Sequence, residues 1–142
     1  MAIVKTATIP DSNILLDVIQ RQPLWFEWSA RQLQNSRELG SLVVNTLVFA
    51  ETSAQIDSFE EVQRIFSLIG INQEEIPWEA AYIAGRTHQA YRKAGGTRER
   101  TLPDFLIGAH AAARGYRIIT RDQARYRTYF SSLEIIAPDT HP

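Results

Sequence analysis

The chain has 142 residues, 44% hydrophobic and 22% charged, enough apolar material for a core and too much for a disordered or collagen-like polymer. Fifteen Lys and Arg face sixteen Asp and Glu, a net charge of −1, which excludes a strongly basic coat but leaves room for a local basic patch. There is no cysteine, so disulfides and Cys-based zinc sites are excluded.

No apolar run approaches the roughly 20 residues that span a bilayer, and Met1-Ala2-Ile3-Val4-Lys5 lacks the layout of a signal peptide. The expectation is a single cytoplasmic domain over residues 1–142 with no membrane partner. No repeat or linker-like composition shift interrupts it.

From Ile3-Val4 to Ile9, β-type residues predict a strand that stops at Pro10-Asp11. Ser12-Asn13 then open a short helix over Ile14 to Ile19. Pro23 breaks it, and Leu24 to Leu39 reads as a second helix ended by Gly40. Ser41 to Asn45 is a short buried strand, and Thr46 caps a helix running to about Gln55. Ser58 and Glu61 have capping-box spacing, and Val62, Ile65, Phe66 and Ile69 follow on one helical face up to Gly70.

Ile71 to Ile76 predicts a short strand, after which Pro77 opens a helix from Trp78 to about Lys93. Gly95 to Arg100 is an exposed, partly basic loop. Leu102 to Arg114 is helical, with Pro103 tolerated in the first turn and Gly115 at the end. Tyr116 to Thr120 is a strand, Asp122 to Tyr129 a helix, and Leu133 to Ile136 a last strand. Strands separated by helices imply right-handed crossovers and a parallel sheet covered on both faces. Ligands in such sheets collect at the carboxyl ends of the strands.

Four acids are placed to meet there. Asp11 follows the first strand, Asp122 sits two residues past Thr120, Glu51 lies on the helix after the second strand, and Asp104 lies in the first turn of another helix. Each alone has an ordinary explanation, since Asp11 and Asp122 suit helix N-termini and Asp104 has capping-box spacing from Thr101. Together, in apolar surroundings such as Leu47-Val48-Phe49-Ala50 and Phe105-Leu106-Ile107, they repel one another unless a cation balances them. An all-oxygen set suits a hard ion, Mg²⁺ or Mn²⁺, which keeps waters and takes further ligands from a phosphate. That chemistry points to phosphoester cleavage.

The blocks Pro10-Asp11-Ser12-Asn13, Ala50-Glu51, Leu102-Pro103-Asp104-Phe105-Leu106-Ile107-Gly108-Ala109-His110-Ala111 and Ile119-Thr120-Arg121-Asp122 resemble PIN-domain ribonucleases. Among these the chain is most similar to the VapC toxins of type II toxin–antitoxin pairs. The resemblance implies a three-layer α/β/α sandwich with a mainly parallel central sheet. It matches the four family acids to Asp11, Glu51, Asp104 and Asp122 as catalytic and metal-holding residues. Ser12, Asn13 and Thr120 would orient those carboxylates or their waters. Glu51 is followed by Thr52-Ser53-Ala54, where the family commonly has Leu-x-x-Gly.

The activity implied is metal-assisted RNA hydrolysis leaving a 5′-phosphate and a 3′-hydroxyl, with a cognate antitoxin and a homodimer as partners. Without the four acids, 15 bases face 12 acids, so the remaining surface is less hostile to RNA than the net charge suggests. Arg98 and Arg100, in the loop before Asp104, are candidates for flanking phosphates, with Arg121 and Arg125 weaker ones. His110 lies six positions after Asp104, facing away from it, and reads as packing. Tyr126, Tyr129 and Phe130 read as core in preference to a partner patch. A haloacid-dehalogenase-type phosphatase requires an Asp two residues after Asp11, where Asn13 stands. A non-catalytic binding module on the same fold is the other alternative.

Overall fold

The computed structural model describes residues 6–97 and 100–142. The start of the expected first strand and the phosphate candidate Arg98 lie outside the described residues.

The chain runs β1 (Thr8–Pro10), α1 (Ser12–Ile19), α2 (Phe26–Leu39), β2 (Leu42–Val44), α3 (Thr46–Ser53), α4 (Phe59–Ile69) and β3 (Ile71–Gln73). It continues with α5 (Trp78–Lys93), α6 (Leu102–Arg114), β4 (Arg117–Ile119), α7 (Ala124–Arg127) and β5 (Ile135–Ile136). The strands form one five-stranded sheet in the order β3-β2-β1-β4-β5, and every pairing is parallel. The expected α/β sandwich with a parallel sheet is the fold observed. With the strand order β3-β2-β1-β4-β5, the right-handed rule for parallel crossovers assigns α1 to α4 to one face and α5 to α7 to the other.

Local chemistry explains the boundaries. Asp11, ahead of Ser12, caps α1 by accepting from the Ser12 amide at 2.8 Å. Asn45, one residue ahead of the expected Thr46, caps α3 through the amides of Leu47 and Val48 at 3.0 and 3.1 Å. Ser58 caps α4 as its spacing predicts, and Gly70 ends that helix at φ 83°, in the left-handed region that glycine adopts without penalty. The strand after Gly70 stops at Gln73, three residues short of the expected Ile76, and the run up to Pro77 leaves the sheet.

The main core packs Ile9, Leu42, Val44, Ile118, Ile119 and Ile136 of the sheet against Ile14, Leu15, Val48, Phe66 and Ile107. A second cluster on the α5–α6 side gathers Ala80, Ala84, Tyr91, Phe105, Ala109 and Phe130. Gly108 lets this cluster close, because a Cβ there would stand 2.5 Å from the Phe130 ring. Trp28 and Leu33 are buried on α2. Among the described residues no helix is long and apolar enough to cross a membrane.

The chain leaves β1 toward β2 on one side and reaches β4 on the other only after β3. This reversal of strand order opens a crevice at the carboxyl ends of β1 and β4. The sheet hydrogen-bonding runs past the strand ends there, with the Asp11 amide donating to the Ile119 carbonyl at 2.8 Å.

Candidate active site

All four expected acids stand around this crevice, with Arg125 among them. Asp11, at the tip of β1, is fully buried, and both its oxygens are occupied. Oδ1 accepts from the Ser12 amide at 2.8 Å and from Arg125 Nη1 at 3.0 Å. Oδ2 accepts from Thr120 Oγ1 at 3.0 Å, Tyr126 Oη at 3.1 Å, Arg125 Nη1 at 3.2 Å and Asn13 Nδ2 at 3.5 Å. A buried carboxylate survives as an ion only when so many donors replace its water.

The other acids are more open. Asp104 accepts from the Thr101 amide at 3.0 Å through Oδ2, which holds the first turn of α6, and its Oδ1 lies 2.5 Å from Arg125 Nη2. Glu51 reaches the same nitrogen at 3.4 Å from α3. Asp122 is exposed, and its amide donates to Thr120 Oγ1 at 3.0 Å. Thr120 therefore links the first acid to the last. Glu51, Asp104, Asp122, Arg100 and Arg125 line one cavity of about 460 Å³.

Electrostatics follow from this crowding. Burial raises the Glu51 pKa, Arg125 pulls it back, and Asp11 and Asp104 push it up again, leaving it raised. Burial works against the charge on Arg125, but the Tyr126 oxygen and the carboxylates of Asp11, Asp104 and Glu51 outweigh it, so its pKa is raised. Burial and the neighbouring Asp11 drive the Tyr126 hydroxyl well above 10, which keeps it a donor.

The donors are all carboxylate oxygens, and in type they fit a hard divalent ion. In arrangement, Arg125 supplies the positive charge, and among the described residues no three acids converge as a ligand set. The guanidinium is itself imperfectly held, because its buried Nε has no partner among the described residues. The acids therefore demand a cation, and the one that touches three of them is the guanidinium of Arg125.

The PIN-domain family model matches residues 8–131. The chain belongs to the PIN-domain family. No curated protein matches it in sequence. Among solved structures, its fold is similar to that of a chain of VapBC2 from Rickettsia felis bound to a promoter DNA fragment, with a TM-score of 0.72, 14% identity, and 93% of this chain and 98% of that chain covered. VapBC-1 from nontypeable Haemophilus influenzae follows at 0.70 and 16% identity, covering 93% and 98%. FitAcB from Neisseria gonorrhoeae gives 0.65 and 18% identity, covering 95% and 99%.

The other sequence candidates sort as follows in this PIN domain. Ser12 serves Asp11 through its backbone amide, Asn13 touches Asp11 and accepts from the Arg121 amide at 3.4 Å, and Thr120 bridges two acids. Arg100 lines the acidic cavity and donates to the Ala124 carbonyl. Arg121 is engaged elsewhere, paired with Asp17 through two bonds of 2.9 Å while lying over Trp25.

Sequence reasoning underrated two residues of the site, Arg125 and Tyr126. Their signal was position: they stand one helical turn beyond Asp122, on the segment leaving the same strand.

Proposed function

We propose that this PIN domain is a metal-dependent endoribonuclease acting as the toxin of a toxin–antitoxin pair in the cytoplasm. PIN domains are generally nucleases, and the structural neighbours named above are VapBC and FitAB assemblies. The observation that supports the reading is the convergence of Asp11, Glu51 and Asp104, from three separate segments, on the Arg125 guanidinium, with Asp122 lining the same cavity.

In this reading Asp11, Asp104 and Asp122, with Glu51, would hold Mg²⁺ or Mn²⁺ in place of the Arg125 guanidinium. The bound ion supplies Lewis-acid polarisation of the scissile phosphate and a more acidic water. The chain's own residues do the rest. Thr120, Asn13, Tyr126 and the Ser12 amide fix the position of Asp11. Arg100, on the cavity wall, holds a phosphate beside the cleaved one. A cognate antitoxin and a second copy of the chain are its proposed partners.

One observation favours the rival reading of a non-catalytic module: Arg125 already neutralises the acids without a metal. A cleavage assay on a mixed structured-RNA pool decides, run with Mg²⁺ or Mn²⁺, with EDTA, and with Asp104→Asn in parallel. The expected outcome is cutting that needs metal and is lost, by at least about 100-fold, in Asp104→Asn. Intact RNA with wild-type protein and metal would remove the nuclease reading.

A further inference from the structure

Beyond the acidic cavity, two further concavities continue from it along the outside of α5. Arg100 lines both the acidic cavity and a neighbouring one of about 580 Å³. His88 and Arg92 line that second cavity and also a third, of about 770 Å³, whose remaining wall includes Tyr82, Arg86 and Lys93. The shared residues make these adjoining hollows, a trough that steps from the acids to the middle of α5.

Its charge is of one sign. Arg86, Arg92, Lys93 and Arg100 lie along it, and among the described residues no Asp or Glu lines the second or third cavity. Among the described residues, none of these four cations pairs with an acid. Arg86 and Lys93 are seven residues apart, two turns on one face of the helix. Gly85 leaves the trough floor bare, since a Cβ there would meet nothing within 4 Å. Tyr82, 69% exposed, stands one turn before Arg86, and the acid Glu79 marks where the cationic stripe stops.

We infer that this trough carries a single-stranded RNA segment into the acidic cavity, with Arg86, Arg92, Lys93 and Arg100 on successive phosphates and Tyr82 stacking against a base. The inference rests on the nuclease reading and adds the path of the substrate. Cations interleaved with an exposed aromatic suit a chain that alternates phosphates and bases. An acidic protein segment would use the cations but leave Tyr82 without a role. The chain's net charge of −1 makes the gathering of four of its fifteen Lys and Arg along one trough informative.

The test is fluorescence anisotropy with a labelled oligouridylate of about a dozen nucleotides in EDTA, between about 50 and 200 mM salt. Arg86→Gln/Arg92→Gln is compared with the control Arg31→Gln/Arg64→Gln, on α2 and α4 of the other face. Each lost phosphate contact lowers the log–log salt slope by about 0.7, so the trough variant should lose about 1.4 and the control nothing. Tyr82→Ala should weaken binding about 5- to 150-fold with the slope unchanged.

If wild-type protein cuts RNA while Arg86→Gln/Arg92→Gln keeps the full slope, the trough falls and the nuclease reading stands. If the slope drops as expected but no RNA is ever cut, the trough stands as an RNA surface and the nuclease reading falls. Capture of oligoglutamate in place of RNA, or binding of neither, overturns the inference.

Discussion

Arg125 is the residue on which the site turns. It is a cation with a side chain only 14% exposed that touches Asp11, Glu51 and Asp104 at once. Removing one partner from a buried charge set costs about 3–5 kcal/mol, because the remaining charges stay buried and unbalanced. Arg125→Met should therefore lower the melting temperature in EDTA by roughly 10–15 °C, at about 3 °C per kcal/mol for a chain of this size. Added Mg²⁺ should restore more stability to Arg125→Met than to wild type, because the ion no longer competes with a guanidinium. Thermal melts with and without metal check both points, and equal melting temperatures in EDTA would refute the first. Glu51, in the last turn of α3, stood out in the sequence only as a charge in an apolar stretch. Asp11, Asp104 and Asp122 were legible in the sequence because each follows a strand or opens a helix, places that sequence periodicity locates. Arg125 and Tyr126 were not, because their bonds to Asp11 span more than a hundred residues and no spacing rule reports such contacts.

Between elements, the position of Glu51 relative to Asp104 depends on how α3 meets α6, and a buried polar chain fixes that meeting. Asn45 spends its carbonyl oxygen on capping α3, so its amide nitrogen donates to His110 Nδ1, 3.0 Å away in the interior of α6. That leaves His110 Nε2 as the donor to Glu74 at 3.0 Å, just past β3, where Tyr116 Oη also donates at 2.9 Å. The expectation that His110 turns away from Asp104 is met, and its packing role proves to be a polar one. His110→Phe strands the Asn45 amide and should cost about 1–3 kcal/mol by denaturant unfolding. Burial alone would push the Glu74 carboxyl up, but the bonds from His110 and Tyr116 more than reverse it, so its pKa lies below 4.5. A lowered folded pKa gives stability that is present above about 4.5 and lost as pH falls through the folded value. The gap between wild type and His110→Phe should therefore narrow as pH falls below about 4.5, and a gap that widens there would contradict the network. The capping residues of these elements were partly legible: Ser58 was read correctly, whereas Asn45 was missed beside the hydroxyl of Thr46.

At the scale of the molecule, α6 joins the two hydrophobic clusters, since Ile107 and Ala111 face the main core while Phe105 and Ala109 face the second. The alternation of strands and helices announced a parallel sheet, but strand order is set by pairing between distant segments and left no local mark. The crevice between β1 and β4 was thus invisible even though its acids were not. Because Asp104 rides on the helix that both cores share, the site should not outlive either core. Phe105 is fully buried, with the rings of Tyr91, Tyr129 and Phe130 centred 5.5, 5.3 and 6.4 Å away. Phe105→Ala opens a cavity worth about 3–5 kcal/mol. If the clusters were independent, that loss would melt the α5–α6 layer first and leave the sheet with α1 to α4 standing. With α6 common to both, far-UV and near-UV circular dichroism should instead report one coincident transition at a lower temperature. Two separated transitions would show that the second cluster is a satellite whose loss the sheet survives.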